Sequence, residues 1–126
     1  MPRQGIDPDE PAGPTEPTDD PDVLNNLGAS RYEVRSGGEL AGYLRYRVLR
    51  ERHGNRVLFI HTEIDPRFEG EGLGGKLVKA ALEDARRRAE VLTPICPFVV
   101  QYLRHHPEYL DLVDDRRRRT VASPES

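Results

Sequence analysis

Phe68-Glu69-Gly70-Glu71-Gly72-Leu73-Gly74-Gly75-Lys76 is the stretch on which the fold turns, because the hydrophobic period changes across it. Upstream, residues 56–65 alternate as a strand. Val57, Phe59, His61, Glu63 and Asp65 are expected on one face and Leu58, Ile60, Thr62 and Ile64 on the other. Downstream, Leu73, Leu77, Ala81 and Ala85 fall on one helical stripe flanked by Val78, Leu82 and Ala89. Pro66 stops the strand, and Arg86, Arg87 and Arg88 suit the negative end of the helix that follows. The glycine-rich loop therefore leaves a strand and opens a helix. Helix N-termini present unpaired N–H groups and positive dipole charge, and glycines let an anion approach them closely. The loop reads as an anion site, against the plainer alternative of a turn with glycine caps.

Three phosphate motifs overlap the loop, one of them with Gly72 and Gly74 in its glycine positions, and the other two fit the surroundings poorly. Gly70-x-Gly72-x-x-Gly75 has the dinucleotide spacing, but the preceding strands are hairpins and the chain is too short for a doubly wound domain. Gly70-x-x-x-x-Gly75-Lys76 approaches a P-loop, yet Leu77 stands where a magnesium-holding Ser or Thr is needed.

Working outward, residues 32–35 read as a short strand, Gly37-Gly38 as a turn, and residues 40–49 as a strand with Leu40, Leu44, Tyr46 and Val48 on one face. Gly54-Asn55 is expected to close the next hairpin. After the helix, residues 91–96 form a strand, Pro97 starts a second helix over residues 98–105, and His106-Pro107-Glu108 ends it. The order is β-β-β-α-β-α, an α+β fold with three hairpin-connected strands and one helical crossover.

The ends look different. Of the 126 residues, 33% are charged, and the net charge is −3. Residues 1–30 hold six prolines and seven acids against one base, a composition expected to stay disordered. Residues 114–126, with four consecutive arginines at 116–119, are expected to form a flexible tail. Between them lies a domain of residues 31–113 with a slight basic excess. No apolar run approaches the roughly 20 residues of a membrane helix, and the N-terminus lacks the pattern of a secretory signal. The expectation is a cytoplasmic monomer. The single cysteine, Cys96, excludes an intrachain disulfide, and His53, His105 and His106 form no metal spacing, so no metal is expected. The arginine run lacks interleaved aromatic residues, which argues against nucleic acid as a partner.

Four blocks in this order resemble the short GNAT-like N-acetyltransferases: Ile60-His61-Thr62-Glu63-Ile64, Glu69-Gly70-Glu71-Gly72-Leu73-Gly74, Pro94-Ile95-Cys96-Pro97-Phe98-Val99 and His106-Pro107-Glu108-Tyr109. The small single-domain branch of that family is marked by a cysteine and a glycine motif. Glu69 departs from the family's usual Gln or Arg, and the branch lacks the N-terminal helices that shape an acceptor pocket. The resemblance implies a mostly antiparallel sheet with one parallel pair, residues 58–65 and 91–96, splayed to admit acetyl-CoA. It further implies that backbone near Ile64 meets the pantetheine arm. Glu69, Gly70, Glu71, Gly72, Leu73, Gly74 and Gly75 would hold the pyrophosphate, with Lys76 as added charge.

Acetyl transfer to an amine needs a base, oxyanion donors and an acid for the leaving thiolate. His61 and Glu63 are the candidate bases. Tyr102 is the candidate acid, by likeness to a tyrosine many family members keep. Cys96 adjoins a helix N-terminus, a setting that favours thiolate. It is a candidate acetyl acceptor, proton donor or pocket wall. Each of these residues also has a structural reading, as paired or core-edge side chains. The expected activity is that of a small acyltransferase moving acetyl from acetyl-CoA to an amine on a small molecule or protein. The alternative is an acyl-CoA-binding module with little or no turnover.

Overall fold

The computed structural model describes residues 14–122. In chain order these form β1 (Thr15–Pro17), β2 (Val23–Asn26), β3 (Arg31–Ser36), β4 (Glu39–Glu51), β5 (Gly54–Ile64), α1 (Leu73–Arg87), β6 (Val91–Pro94), α2 (Pro97–His105) and α3 (Asp115–Ala122). Short 3-10 turns at Pro66–Phe68 and Pro107–Leu112 link them. The strands make one sheet in sequence order, antiparallel except for the parallel pair β5–β6. The expected β-β-β-α-β-α order is thus the centre of the molecule. No helix among the described residues is long and apolar enough to cross a membrane.

Local chemistry accounts for the hairpins. β3 passes into β4 through Gly37 and Gly38 at φ of 59° and 84°. A two-residue type I′ turn needs both residues left-handed, a conformation glycine adopts without steric cost. The next turn is Arg52-His53, ahead of the expected Gly54-Asn55, which already belongs to β5.

The expected α1 stripe of Leu73, Leu77, Ala81 and Ala85 is buried together with its flanks Val78 and Leu82 against Tyr32, Leu44, Val57, Phe59 and Leu92 of the sheet, whereas Ala89, expected to extend it, lies past the end of the helix and is exposed. Full burial of each large side chain is worth about 1.5–3 kcal/mol. Leu44 and Tyr46 share this face as expected, whereas a bulge at Ala41 leaves Leu40 only half-buried. Asp84 joins the buried face. Its carboxylate accepts from the Tyr32 hydroxyl at 2.6 Å, from Arg88 Nε at 2.9 Å and from Arg87. Burial alone would push this carboxyl up, but the bonds from Tyr32 and Arg88 outweigh it and hold it below the usual carboxylate range.

Both ends correct the reading from composition. Within the leader, residues 1–13 lie outside the described residues, but β1 and β2 pair with each other and β2 with β3. What anchors them is polar. Asn25 and Asn26 are buried, Tyr46 Oη donates to Asn25 Oδ1 at 2.7 Å, and Asn26 Nδ2 donates to Glu33 Oε2 at 2.9 Å. The acids pair with α1, Asp19 with Arg87 at 2.7 Å and Glu16 with Arg88. At the other end, residues 123–126 lie outside the described residues, but 115–122 are the helix α3 instead of a flexible tail. Asp114 Oδ1 accepts from the Arg117 N–H as its cap, Arg118 donates to the carbonyls of Leu110 and Val113, and Val121 is buried.

Candidate functional site

β6 pairs with β5 only across Arg56–Phe59, and β5 then runs on to Ile64 paired with β4 alone. At the fork the N–H groups of Ile95 and Cys96 both donate to the Phe59 carbonyl, at 2.9 and 3.0 Å, and the chain turns away into α2. A parallel pair that separates in this way leaves a wedge between β5 and the start of α2. Ile95 and Phe98, 51% and 44% exposed, are apolar side chains flanking Cys96 beside it.

The fork coincides with a bulge. β4 pairs Tyr46 with Phe59 but Arg45 with His61, so Ile60 has no opposite number. One extra residue reverses the side-chain alternation. His61 and Glu63 therefore leave the face of Val57 and Phe59, where strict alternation had placed them, and Thr62 and Ile64 turn toward it. Cys96, 4% exposed at the cap of α2, donates its Sγ–H to Thr62 Oγ1 at 3.4 Å.

His61 and Glu63 are brought together on the exposed face. His61 Nε2 lies 3.0 Å from Glu63 Oε1, which also accepts from Tyr43 Oη at 3.2 Å. The bond from His61, then that from Tyr43, holds the Glu63 carboxyl below its ordinary range. Tyr43 and Glu63 also border a depression of about 220 Å³ together with Leu40, Asp65 and Pro66. Neither member of the pair hydrogen-bonds Cys96, whose partner lies on the opposite face of the strand.

The glycines of the loop divide their work. Gly70 and Gly72 have φ of 89° and 74°, and a Cβ on either would meet nothing within 4 Å. Gly72 caps α1 without a side-chain bond, so by helix geometry the first N–H groups of α1 point into an open cradle. Gly74 has a different reason: a Cβ there would lie 2.7 Å from the Phe98 ring. α2 thus packs on the first turn of α1 at a point where only glycine fits. Leu73 is core, Glu69 is exposed, and the Glu71 carboxylate accepts from Ser36 Oγ at 3.0 Å. Lys76 is engaged elsewhere, its Nζ 3.0 Å from Asp20 and 3.2 Å from Asp22. Tyr102 lies near Gly75 with its ring stacked on His106 at 4.0 Å. Burial, then Glu108 and Glu83, push its phenol up, so it stays protonated at neutral pH.

Sequence reasoning missed Thr62, Tyr43, Phe98 and the two leader carboxylates. Only Phe98 left a local signal, an apolar residue directly after the helix-starting Pro97. Among the described residues, no group of three or more His, Cys, Asp or Glu side chains is placed to hold a metal.

Solved structures similar to this chain include a ribosomal-protein-alanine N-acetyltransferase from Brucella melitensis biovar Abortus 2308, with 20% identity and a TM-score of 0.48 over 63% of this chain and 53% of that one. Another is an aminoglycoside acetyltransferase from an uncultured soil metagenomic sample in complex with sisomicin, with 13% identity and a TM-score of 0.48 over 71% of this chain and 57% of that one. The chain thus spans little more than half the length of either protein. No curated protein sequence matches it. The family model described as GCN5-related N-acetyl-transferase matches residues 31–112, from the first strand of the expected domain to the turn before α3. With that match covering well over half of its length, the chain belongs to the GCN5-related N-acetyltransferase family.

Proposed function

We propose that this domain transfers the acetyl group of acetyl-CoA to an amine. The observation that carries this reading is the wedge where β5 outruns β6 beside the open, glycine-capped N-terminus of α1. The residues present suit such a ligand. The unpaired edge of β5 up to Ile64 offers backbone groups to an extended amide-bearing arm. The loop from Gly70 to Gly75 offers N–H groups and helix-dipole charge to a pyrophosphate. When bound, acetyl-CoA supplies an activated thioester.

The chain's own groups divide the proton work. The incoming amine must lose a proton, and the His61–Glu63 pair is built to take it. Because Glu63 accepts from Tyr43 and is held low, it is the weaker base of the two and acts as the orienting carboxylate. With Glu63 accepting from Nε2–H, the Nδ1 lone pair of His61 faces outward to receive the amine proton. On the α2 side, the Tyr102 phenol and the Cys96 thiol are the two groups able to return a proton to the departing sulfur.

Thiol release from acetyl-CoA, followed across a panel of small-molecule amines and peptides, tests the activity. Calorimetric titration with CoA tests binding separately. The expected result is micromolar CoA binding and amine-dependent thiol release that falls in His61→Ala. CoA binding without thiol release for any amine would replace the enzyme reading with an acyl-CoA-binding module. Protein mass after incubation assigns Cys96: an acetyl adduct lost in Cys96→Ala marks a covalent role, and unchanged thiol release in that variant marks a structural one.

A further inference from the structure

The lysine nearest the glycine loop is not available to a ligand. Lys76 stands in the first turn of α1, and its ammonium is held between the carboxylates of Asp20 and Asp22. These acids are not loosely placed. The turn that carries them is closed by its own bonds: the Asp20 N–H donates to Thr18 Oγ1 at 3.1 Å, the Asp22 N–H to Asp20 Oδ1 at 2.9 Å, and the Val23 N–H to the Asp20 carbonyl at 3.0 Å. β2 follows immediately and is locked into the sheet. Further along the same segment, Asp19 pairs with Arg87 and Glu16 with Arg88, so the acidic strand lies along α1 from its first turn to its last. Glu69 and Glu71 add two more carboxylates on the loop itself. Two fixed acids around one lysine leave a net negative charge beside the first turn of α1, whose N–H groups suit an anion.

We propose that Asp20 and Asp22 are specificity residues for the phosphate end of the ligand, selecting by charge and withholding Lys76. The inference rests on the acetyl-CoA reading of the site. The cradle N–H groups alone recognise the phosphates, and every further negative charge near Lys76 meets two carboxylates that hold it first. A ligand with fewer phosphate charges loses less. Neutralising the acids removes the repulsion and frees Lys76 as a phosphate partner.

The test is calorimetric titration of CoA, dephospho-CoA and pantetheine into the full chain and into Asp20→Asn/Asp22→Asn. The Asn at position 20 keeps the Oδ1 acceptor for the Asp22 N–H, and a far-UV CD spectrum with an unchanged melting midpoint establishes that the variant folds. The expected result is CoA bound roughly 1.5-fold to fivefold more tightly by the variant, the range for a pair of exposed charges. Dephospho-CoA should gain less and uncharged pantetheine nothing. Lys76→Gln should then cost more CoA affinity in the Asn/Asn background than in the parent, because only there is the ammonium free. Equal CoA affinity in parent and variant overturns this proposal alone, as does an equal gain for pantetheine. Failure of both proteins to bind CoA overturns the reading of the site and this proposal with it.

Discussion

The two halves of β5 are continuous in sequence and opposite in character. From Arg56 to Phe59 the strand has neighbours on both sides, and Val57 and Phe59 are 1% and 0% exposed under α1. From His61 to Ile64 it has β4 on one side and open space on the other, and its outward residues are a polar pair. Ile60, the bulged residue, separates the halves. One half holds the molecule together and the other is free to receive something. A single inserted residue lets one strand do both, because it changes the facing of every side chain beyond it.

This division can be broken from the inner side first. Phe59→Ala removes a fully buried ring that also meets Tyr32 edge-on at 6.3 Å, and should cost about 3–5 kcal/mol of unfolding free energy by denaturant titration. Next in size is Tyr32→Phe, which strips one donor from the buried Asp84 carboxylate and should cost about 1.5–3 kcal/mol. The pH dependence has a definite sign. Because Asp84 titrates lower folded than unfolded, its contribution is present above the unfolded value of about 3.9 and is lost as pH falls through the folded value. The variant should therefore lose stability less steeply in acid than the parent.

At the boundary between core and cleft, Gly74→Ala presses a methyl into the Phe98 ring and should cost about 1–3 kcal/mol. The double variant Gly74→Ala/Phe98→Ala should lose less than the sum of its parts, since removing the ring makes room. Strict additivity would show that the two residues do not touch. The smallest stability effect belongs to the outer half. Glu63→Gln should change unfolding free energy by less than about 0.5 kcal/mol, as for other exposed sites, yet lower amine-dependent thiol release roughly 100-fold. A large stability loss there would erase the distinction between the halves.

What the sequence disclosed was local. The α1 stripe, the Gly37-Gly38 turn and the glycine loop each rest on residues within a few positions of one another, and all stand in the structure. The bulge at Ile60 could not be read, because it is defined by how β4 and β6 lie against β5 and leaves no mark in the alternation itself. β1 and β2 were hidden for another reason. Their composition is that of a solvated chain, and what orders them is asparagines buried against Tyr46 and Glu33 and acids paired with arginines more than sixty residues away. α3 was obscured by its arginines, of which Arg118 in the fold donates to the carbonyls of Leu110 and Val113. For the site, residue types were legible but partners were not: Cys96 and Glu63 stood out, while Thr62 and Tyr43, which each of them bonds, did not.

Pro14 and Pro17 acquire a meaning of their own once β1 is seen as the outermost strand among the described residues. An outermost strand exposes backbone donors that invite another chain to continue the ladder, the usual start of unwanted association. β1 is only three residues long, ends at Pro17 and is preceded by Pro14, so it has few donors to offer. At the opposite rim β6 ends at Pro94, and Val113 bridges Leu92 on its outer side. The same residues that make residues 14–17 look unfit to fold make them a good place for a sheet to stop.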